Sequence, residues 1–411
     1  MRIALFAETY LPHINGVVTH VKALRDGLTR LGHEVLVVTA DANARRHYIS
    51  GGVLHCPAHV SKKFYGYSIA PPLSSTRLRY VHSFAPDVIH VHQEFGVGMS
   101  GMMIAKTLNL PLVYTLHTMY DEYIYYIAPE PLVPAAKKFS HEYIKLLAKS
   151  AQALTGPSEK CADYLHKIGV YKTVTVVPNP VELDLFRREA ADPQQLAALR
   201  QQFGYRPDTL VGVFTGRLGR EKSVDWLLDS WQQTIRPEEN IRLLVIGDGP
   251  CKEELEAQAQ RLGIQELVTF AGKVPHEQMP PYLAMGDFYI TASTSDTNSI
   301  SMLEGMASGL PVLQITDPLN AGQVQDGVNG YIYADAGQMA QQIRMLQQMP
   351  PQQMAQLRAS TRQSVEGKGC EALAQNLLRV YRRAQLIKRR HRRLAIRFPG
   401  ANFRIRWHKK E

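Results

Sequence analysis

The chain opens with two apolar runs separated by an amphipathic stretch. Residues 2–7 and 35–39 are the apolar runs, and the positions between them repeat the spacing of one helical face, at Val17, Val21, Leu24, Leu28 and Leu31. Short continuous apolar runs are typical of buried parallel strands, which helices connect. The opening therefore predicts a strand–helix–strand unit, with a polar loop at residues 10–16 before the helix.

The same alternation continues along the chain. It predicts strands at residues 88–91, 112–116, 153–155 and 174–177, with helices at 75–84, 99–108, 135–149 and 159–168. Further strands are predicted near Leu210, Leu243, Val268, Phe288, Val312 and Tyr331, with helices at 224–234, 252–262 and 338–346. This pattern indicates an α/β protein with doubly wound parallel sheets, which bind ligands outside the carboxyl ends of their strands.

Length divides this pattern between two domains. A chain of 411 residues exceeds the roughly 250–300 residues that one hydrophobic core supports. We expect domains at residues 1–185 and 186–368, joined by a linker that Pro178 and Pro180 stiffen. Residues 369–411 begin with a helical pattern and end in a basic, amphipathic tail.

The net charge of +10 comes from that tail. Twelve of the 47 Lys and Arg residues but only one of the 37 acidic residues lie at positions 381–411, which leaves 35 basic and 36 acidic residues elsewhere. The tail is therefore an interaction element, and a nucleic-acid-binding core is not indicated. No apolar run reaches the roughly 18 residues of a membrane span or forms a signal-peptide core, so we expect a cytoplasmic protein.

Candidate chemistry is concentrated in residues 291–312. Short polar side chains at residues 295–299 favour turns and helix caps, and Met302, Leu303 and Met306 then give a buried helical stripe. The amide groups of such a helix start favour phosphate. Alternatively, Ser301 and Glu304 fit a capping box, in which Glu304 only closes its own helix.

A second polar stretch follows the apolar run at residues 211–215. Gly216 and Gly219 permit close backbone approach, while Arg217 offers a planar fork and Lys222 a compact charge for phosphate oxygens. The chain has no GxxxxGK[ST] loop and no DxD pair, while the spacing GxGxxG occurs once, at residues 96–101. A P-loop enzyme and a metal-bridged sugar-nucleotide site are therefore not indicated.

The order of these motifs resembles the nucleotide-sugar half of the retaining glycosyltransferases of family four, which have the GT-B fold. The resemblance implies two Rossmann-like domains that face a cleft, with a last helix that crosses back to the first domain. It implies that Arg217 and Lys222 hold the donor diphosphate, that Glu304 holds the ribose and that Asp296 contacts the sugar. Further donor contacts are implied for Gly216, Asn298, Ser299 and Ile300. The chain departs from the family in having Asp296 for Glu, and Asn298-Ser299 where Gly is common.

The first half carries matching elements. Asn15-Gly16 resembles the family's first glycine-bearing loop, which lies under the donor phosphates, and His117 resembles the family's histidine at the donor sugar. His92 also follows a predicted strand, and we interpret it as a structural hydrogen-bonding residue.

Two basic stretches suggest a membrane surface. The sequence HTMYxxYxxY from His117 resembles the bacterial diacylglycerol glucosyltransferases, and an amphipathic helix with Lys137, Lys138 and Lys145 follows it. The tail mixes Arg389, Arg390, Arg393 and Trp407 with apolar residues, as suits a bilayer surface. An ordinary surface helix and a solvated tail are the alternatives.

Together these patterns predict a retaining, metal-independent hexosyltransferase without a cofactor. The catalytic residues would be His117, Asp296, Arg217 and Lys222, and the enzyme would move glucose from UDP-glucose to diacylglycerol at the inner face of the cell membrane, with no nucleic-acid partner. One alternative is a family-four enzyme with a soluble or other lipid acceptor or a GDP-sugar donor. The other is an inactive protein of the same fold that binds membranes or nucleic acid.

Overall fold

The computed structural model describes residues 1–60, 68–126, 128–320 and 322–397. Its strands are β1 Arg2–Phe6, β2 Glu34–Asp41, β3 Tyr48–Ser50, β4 Val53–Pro57, β5 His59–Val60, β6 Ser68–Ile69, β7 Val88–Val91, β8 Leu112–Thr115, β9 Ala153–Gly156, β10 Val174–Val176, β11 Leu210–Thr215, β12 Ile241–Ile246, β13 Val268–Gly272, β14 Phe288–Thr291, β15 Val312–Ile315 and β16 Gly330–Tyr333.

The α-helices lie between these strands and at the end of the chain. They are α1 Gly16–Arg30, α2 Ser75–Phe84, α3 Gly96–Thr107, α4 Val133–Ser150, α5 Glu159–Lys167, α6 Pro193–Gln202, α7 Val224–Thr234, α8 Lys252–Arg261, α9 Met279–Ala284, α10 Ile300–Ala307, α11 Ala336–Gln348, α12 Pro351–Gln363 and α13 Cys370–Arg397.

Two main sheets carry the fold. The first has the order β10-β9-β8-β7-β1-β2-β4-β3, in which only the short β3 pairs antiparallel, and the second has the order β13-β12-β11-β14-β15-β16 with parallel pairs throughout. The strand order reverses beside β1 in the first sheet and beside β11 in the second. Ligands in such sheets bind at the carboxyl ends of the strands where the order reverses. The predicted doubly wound parallel architecture is therefore confirmed.

Each sheet has apolar side chains packed on both faces, as parallel strands require. In the second sheet, Phe214 and Trp231 belong to the core on one face, and Met302 and Leu303 to the core on the other. This second core anchors α10 under the loop that carries Asp296.

Helix α13 returns to the first sheet, as predicted. Leu373, Leu377 and Tyr381 pack into the core that includes α1 and β1, and the Tyr381 hydroxyl lies 2.8 Å from Nδ1 of His90. The two helices cross closely at Gly27, where an added Cβ would lie 2.1 Å from the carbonyl oxygen of Cys370.

Candidate active site

The carboxyl ends of the central strands bring the predicted site residues to one cleft. Strand β11 leads into Gly216, Arg217 and Lys222, and β14 leads into the loop that contains Asp296. From the first sheet, β1 leads to Asn15 and β8 leads to His117. The two sides touch, because the Thr297 hydroxyl donates a hydrogen bond of 3.3 Å to the carbonyl oxygen of His117.

The two cations of the β11 loop each have a carboxylate partner. Arg217 donates to Glu221 Oε1 from Nη2 at 2.6 Å and from Nε at 3.2 Å, and Lys222 Nζ lies 2.5 Å from Asp296 Oδ1. Burial disfavours both charged forms of the second pair. The opposite charge nevertheless raises the pKa of Lys222 and lowers that of Asp296. Both groups are therefore charged at neutral pH.

Glycine makes room for this arrangement at two positions. An added Cβ at Gly219 would lie 2.3 Å from Glu221 Oε2, so a larger residue would displace the carboxylate that holds Arg217. An added Cβ at Gly247, at the end of β12, would lie 1.8 Å from the carbonyl oxygen of Gly216. Glycine at position 247 therefore lets the end of β12 pass close to the backbone of Gly216.

Helix α10 begins one residue after Ser299, whose hydroxyl accepts from the Met302 amide at 3.4 Å. Gln323 holds the backbone of Ser299 from both sides, accepting from its N–H at 3.2 Å and donating to its carbonyl at 3.0 Å. Because Ser299 is the capping residue, the alternative in which Ser301 and Glu304 form a capping box is wrong.

Glu304 instead pairs with a histidine from the preceding strand connection. His276 Nε2 lies 3.0 Å from Glu304 Oε1. Burial raises the pKa of the Glu304 carboxyl, and the hydrogen bond to His276 opposes that rise. The same hydrogen bond raises the pKa of His276. The pair presents one oriented carboxylate at the second domain's side of the cleft.

The glycine-bearing loop of the first domain lies beside the start of α10. Asn15 caps α1, with its side chain accepting from the Val18 amide at 3.0 Å. An added Cβ at Gly16 would lie 3.8 Å from Cδ1 of Ile300. These residues, predicted separately from the two halves of the sequence, are therefore neighbours across the cleft.

Three histidines line the first domain's side of the cleft. His92 Nδ1 lies 3.1 Å from His117 Nε2, and the ring of His20 packs edge-on against His117 at 4.6 Å. Burial lowers the pKa of His20 to about 4 and those of His92 and His117 well below the usual value. All three rings are therefore neutral at pH 7. Each offers a ring nitrogen within 4.8 Å of the others, a spacing that could hold a metal ion.

Asn179 of the linker connects this histidine cluster to the loop between β14 and α10. Asn179 Oδ1 lies 2.9 Å from His20 Nδ1, while its backbone and side-chain amides donate to Asn298 Oδ1 and O at 2.9 and 2.7 Å. Asn298, which departs from the family pattern, is thus bonded through its side-chain oxygen and its backbone carbonyl oxygen.

A second contact across the cleft is made by Lys160 of α5. Its ammonium donates to the Thr294 carbonyl oxygen at 2.5 Å and pairs with Asp317.

Sequence reasoning missed the partners of the predicted residues, which are Glu221, His276, Asn179 and His20, and it also missed Lys160. Glu221 alone carried a local signal, since it stands beside Lys222 and four positions after Arg217, where a helical turn brings side chains together. The other partners lie far away along the sequence.

Tyr123 and Tyr126, which follow His117, face the second domain. The Tyr126 hydroxyl donates to Glu221 Oε2 at 2.8 Å, and the Arg217 guanidinium carbon lies 5.2 Å from the Tyr126 ring and 5.6 Å from the Tyr123 ring. Both rings therefore lie beside the Arg217 guanidinium.

Helix α4 keeps an exposed face with mixed apolar and basic side chains. Phe139 is 73% exposed, Leu146 and Lys138 are also exposed, and Lys145 pairs with Glu142 at 2.6 Å. Lys137 lies on the same helix. Arg389, Arg390 and Arg393 lie in α13, whereas Trp407 falls outside the described residues. Within the described ranges, no helix is long and apolar enough to cross a membrane.

Comparison with known sequences and structures identifies the fold and family. The sequence profile described as Glycosyltransferase Family 4 matches residues 14–185, and that described as Glycosyl transferases group 1 matches residues 209–348. The Anabaena protein HepE, solved in complex with UDP and glucose, aligns with a TM-score of 0.70 at 18% identity, covering 92% of this chain and 99% of its own. The predicted GT-B fold is confirmed.

Two curated relatives carry the same name. The alpha-monoglucosyldiacylglycerol synthase of Streptococcus pneumoniae is 30% identical over 334 residues, which cover 81% of this chain and 75% of that protein. The alpha-monoglucosyldiacylglycerol synthase of Acholeplasma laidlawii is 29% identical over 359 residues, covering 85% of this chain and 89% of that protein. The predicted family is thereby confirmed: this chain is a glycosyltransferase and belongs to glycosyltransferase family 4.

Proposed function

We propose that this enzyme transfers glucose from UDP-glucose to a diacylglycerol-type lipid at a membrane surface, with retention of the anomeric configuration and without a metal ion. The observation that carries the proposal is that two neighbouring strands, β11 and β14, lead at their carboxyl ends to Arg217 and Lys222 and to the helix that contains Glu304. Two fixed cations suit a diphosphate, and an oriented carboxylate suits the hydroxyl groups of a ribose.

The leaving group explains the choice of residues. Transfer breaks the bond between the anomeric carbon and a phosphate oxygen, so negative charge develops on the diphosphate. Arg217 and Lys222 would stabilise that charge, since pre-placed charges are most effective where charge develops. They supply locally the charge that a bridging metal ion supplies in other sugar-nucleotide sites.

Asp296 and His117 would orient the sugar in this proposal. Asp296 is bound to the Lys222 ammonium at 2.5 Å, a pairing that makes it a poor nucleophile. The neutral ring of His117 can exchange hydrogen bonds with a sugar hydroxyl without adding charge. Retention would then come from attack of the acceptor hydroxyl on the face that the diphosphate leaves, with the departing phosphate oxygen taking the acceptor proton.

The acceptor is proposed from the surface of α4 and from the relatives. An exposed Phe139 beside Lys138 gives the mixed apolar and cationic face that binds at a lipid surface, with the charge toward head groups. Both curated relatives are named for a glucosyldiacylglycerol product. We place the enzyme in the cytoplasm, peripheral to the inner face of the membrane.

The test is UDP release from UDP-glucose with anionic vesicles that contain or lack diacylglycerol, with product anomers assigned by NMR. Turnover that requires diacylglycerol and yields the α-anomer supports the proposal. Comparing the full chain with a chain that ends after Arg397, the last residue of α13, shows whether vesicle-dependent turnover needs the tail or only the α4 surface. Turnover with GDP-mannose would show that the proposed donor is wrong, and turnover with a soluble acceptor would show that the proposed acceptor is wrong. A lack of turnover with every donor would favour the inactive binding protein.

A further inference from the structure

The residues that connect His117 to α4 reach across the cleft to the cationic loop, residues 216–222. They form two short 3-10 turns, Tyr120–Glu122 and Ile124–Tyr126. Ile124 is buried, which anchors the second turn. The chain between the sugar side of the cleft and the proposed membrane surface therefore passes directly over the loop that carries Arg217.

The Tyr126 hydroxyl makes two hydrogen bonds to that loop. It donates to Glu221 Oε2 at 2.8 Å and accepts from the Arg220 amide at 2.8 Å. The hydroxyl is thereby fixed as donor to one partner and acceptor from the other. The neighbouring Tyr125 hydroxyl donates to the same carboxylate oxygen over a longer distance of 3.4 Å and is also hydrogen-bonded to Tyr126.

Glu221 connects Tyr126 to Arg217, because its two carboxylate oxygens bind the two side chains. Its side chain is 1% exposed, and the oxygen that Tyr126 does not bind accepts both Nη2 and Nε of Arg217. A buried carboxylate without its hydrogen-bond donors is costly, so Glu221 keeps its place only while those donors are present. The Tyr126 ring also lies beside the guanidinium, at 5.2 Å from the ring centroid to Cζ.

We propose that Tyr126 is a positioning residue for the donor site: through Glu221 it holds Arg217 in the orientation that binds the donor diphosphate. This rests on the proposed role of Arg217 in the donor site. A residue of the first domain thus prepares the phosphate contact of the second domain. Phosphate affinity then depends on the position of the segment that leads to α4.

The test compares Tyr126→Phe with Tyr125→Phe in the full chain, with UDP and uridine as ligands in calorimetric titration. Phenylalanine keeps the ring beside Arg217 and removes only the hydroxyl. We expect Tyr126→Phe to weaken UDP binding about tenfold, as loss of a hydrogen bond to a buried charged group does, and to leave uridine binding within about twofold. Tyr125→Phe should change both affinities by less than about twofold.

Arg217→Ala completes the cycle. If Tyr126 acts through Arg217, adding Tyr126→Phe to Arg217→Ala causes no further loss of UDP affinity. A parallel loss of UDP and uridine binding would indicate a general structural role and overturn the proposal. An undiminished effect in the Arg217→Ala background would also overturn it. Thermal unfolding of each variant identifies loss of folding.

These titrations remain informative if the enzyme proves to use a different acceptor, because they need no turnover. If UDP binds and Tyr126→Phe selectively weakens it, the positioning role stands even where diacylglycerol is not glycosylated. If Arg217→Ala leaves UDP affinity unchanged, the donor role of Arg217 fails and the positioning role fails with it.

Discussion

The polar side chains on the two sides of the cleft differ in their charge. On the second domain, the polar groups are charged and paired: Arg217 with Glu221, Lys222 with Asp296. On the first domain, the histidine cluster is neutral, and burial raises the pKa of the Glu94 carboxyl to about 7. Glu94 accepts hydrogen bonds from Tyr114 at 2.6 Å and from Tyr120.

This difference matches what each side has to bind under the proposed function. A diphosphate carries negative charge that grows during transfer, so its side needs cations whose positions are fixed by carboxylates. A lipid hydroxyl is neutral, so its side needs hydrogen-bonding groups that add no charge in a buried place. Four predictions test this contrast, from the largest expected effect to the smallest.

Removal of a cation from the charged side should have the largest effect. We expect Lys222→Ala to lower kcat with UDP-glucose by roughly 100- to 1,000-fold, the usual loss when one preorganised charge-stabilising group is removed. The measurement is steady-state UDP release. Asp296→Asn, which keeps the cation, is the matched comparison and should lose less. Equal losses would mean that Asp296, through the ion pair or through its proposed contact with the sugar, matters as much to catalysis as the Lys222 charge.

The two sides should also respond to pH in opposite directions. Burial raises the pKa of Glu94 from the ordinary glutamate value of about 4.5 to about 7, so its contribution to stability is full below about pH 4.5 and is lost as pH rises through about 7. The pKa of Asp296 is lowered, so its contribution is present at neutral pH and is lost as pH falls through its folded pKa, below 3.8.

Glu94→Gln measures the first of these effects. At pH 8 it should raise the free energy of unfolding, relative to the unmodified protein, on the order of 2 kcal/mol, and at pH 4.5 the difference should disappear. Denaturant unfolding at both pH values gives the comparison. Glu189→Gln, which removes an exposed carboxylate, serves as the control variant at both pH values. A difference that is the same at both pH values would mean that the side-chain replacement, and not ionisation, causes it.

The sequence predicted most of the strands and helices that carry the site, but it did not predict which side chains pair with each other. The apolar run of β7 was placed at its observed bounds, because such runs have few alternative positions in a parallel sheet. The bounds of the more polar helix α2 were also predicted as observed. The exposed β3 and the Gln-rich α12 were missed, since neither carries a clear apolar period. The exact start of α10 also changed the interpretation of Glu304. Because Ser299 and not Ser301 caps this helix, Glu304 does not belong to a capping box.

Partner choice was beyond the sequence for a physical reason. Arg217, Lys222 and Glu304 stand out because their chemistry is local to a strand end. Their partners depend on how separate elements pack, as His276 meets Glu304 from 28 positions away and Asn179 meets Asn298 from 119 positions away. The departures at Asp296 and Asn298 became interpretable only when Lys222 and Asn179 were found beside them.

A smaller effect is expected at the proposed membrane surface, outside the cleft. Lys138→Ala should weaken binding to anionic vesicles about fivefold, because one basic side chain near anionic lipid contributes about 1 kcal/mol. Vesicle sedimentation at fixed salt measures it. The control is Lys252→Ala on α8 of the second domain, which should leave vesicle binding unchanged. Equal effects of the two variants would indicate attraction by overall charge and not a defined α4 surface.

The smallest expected effect is that of chelation, and it bears on both sides of the cleft at once. If Arg217 and Lys222 supply the charge that the diphosphate needs, dialysis against EDTA should leave kcat within about twofold. The histidine cluster makes the test a real one, since His20, His92 and His117 have the neutral rings and the spacing that a metal ion accepts. Activity that falls on chelation, returns with Zn²⁺ and does not return in His20→Asn would turn the neutral side of the cleft into a metal centre. The first domain would then hold a metal ion where the second domain holds Arg217 and Lys222 with their carboxylate partners. The metal-independent mechanism would be wrong.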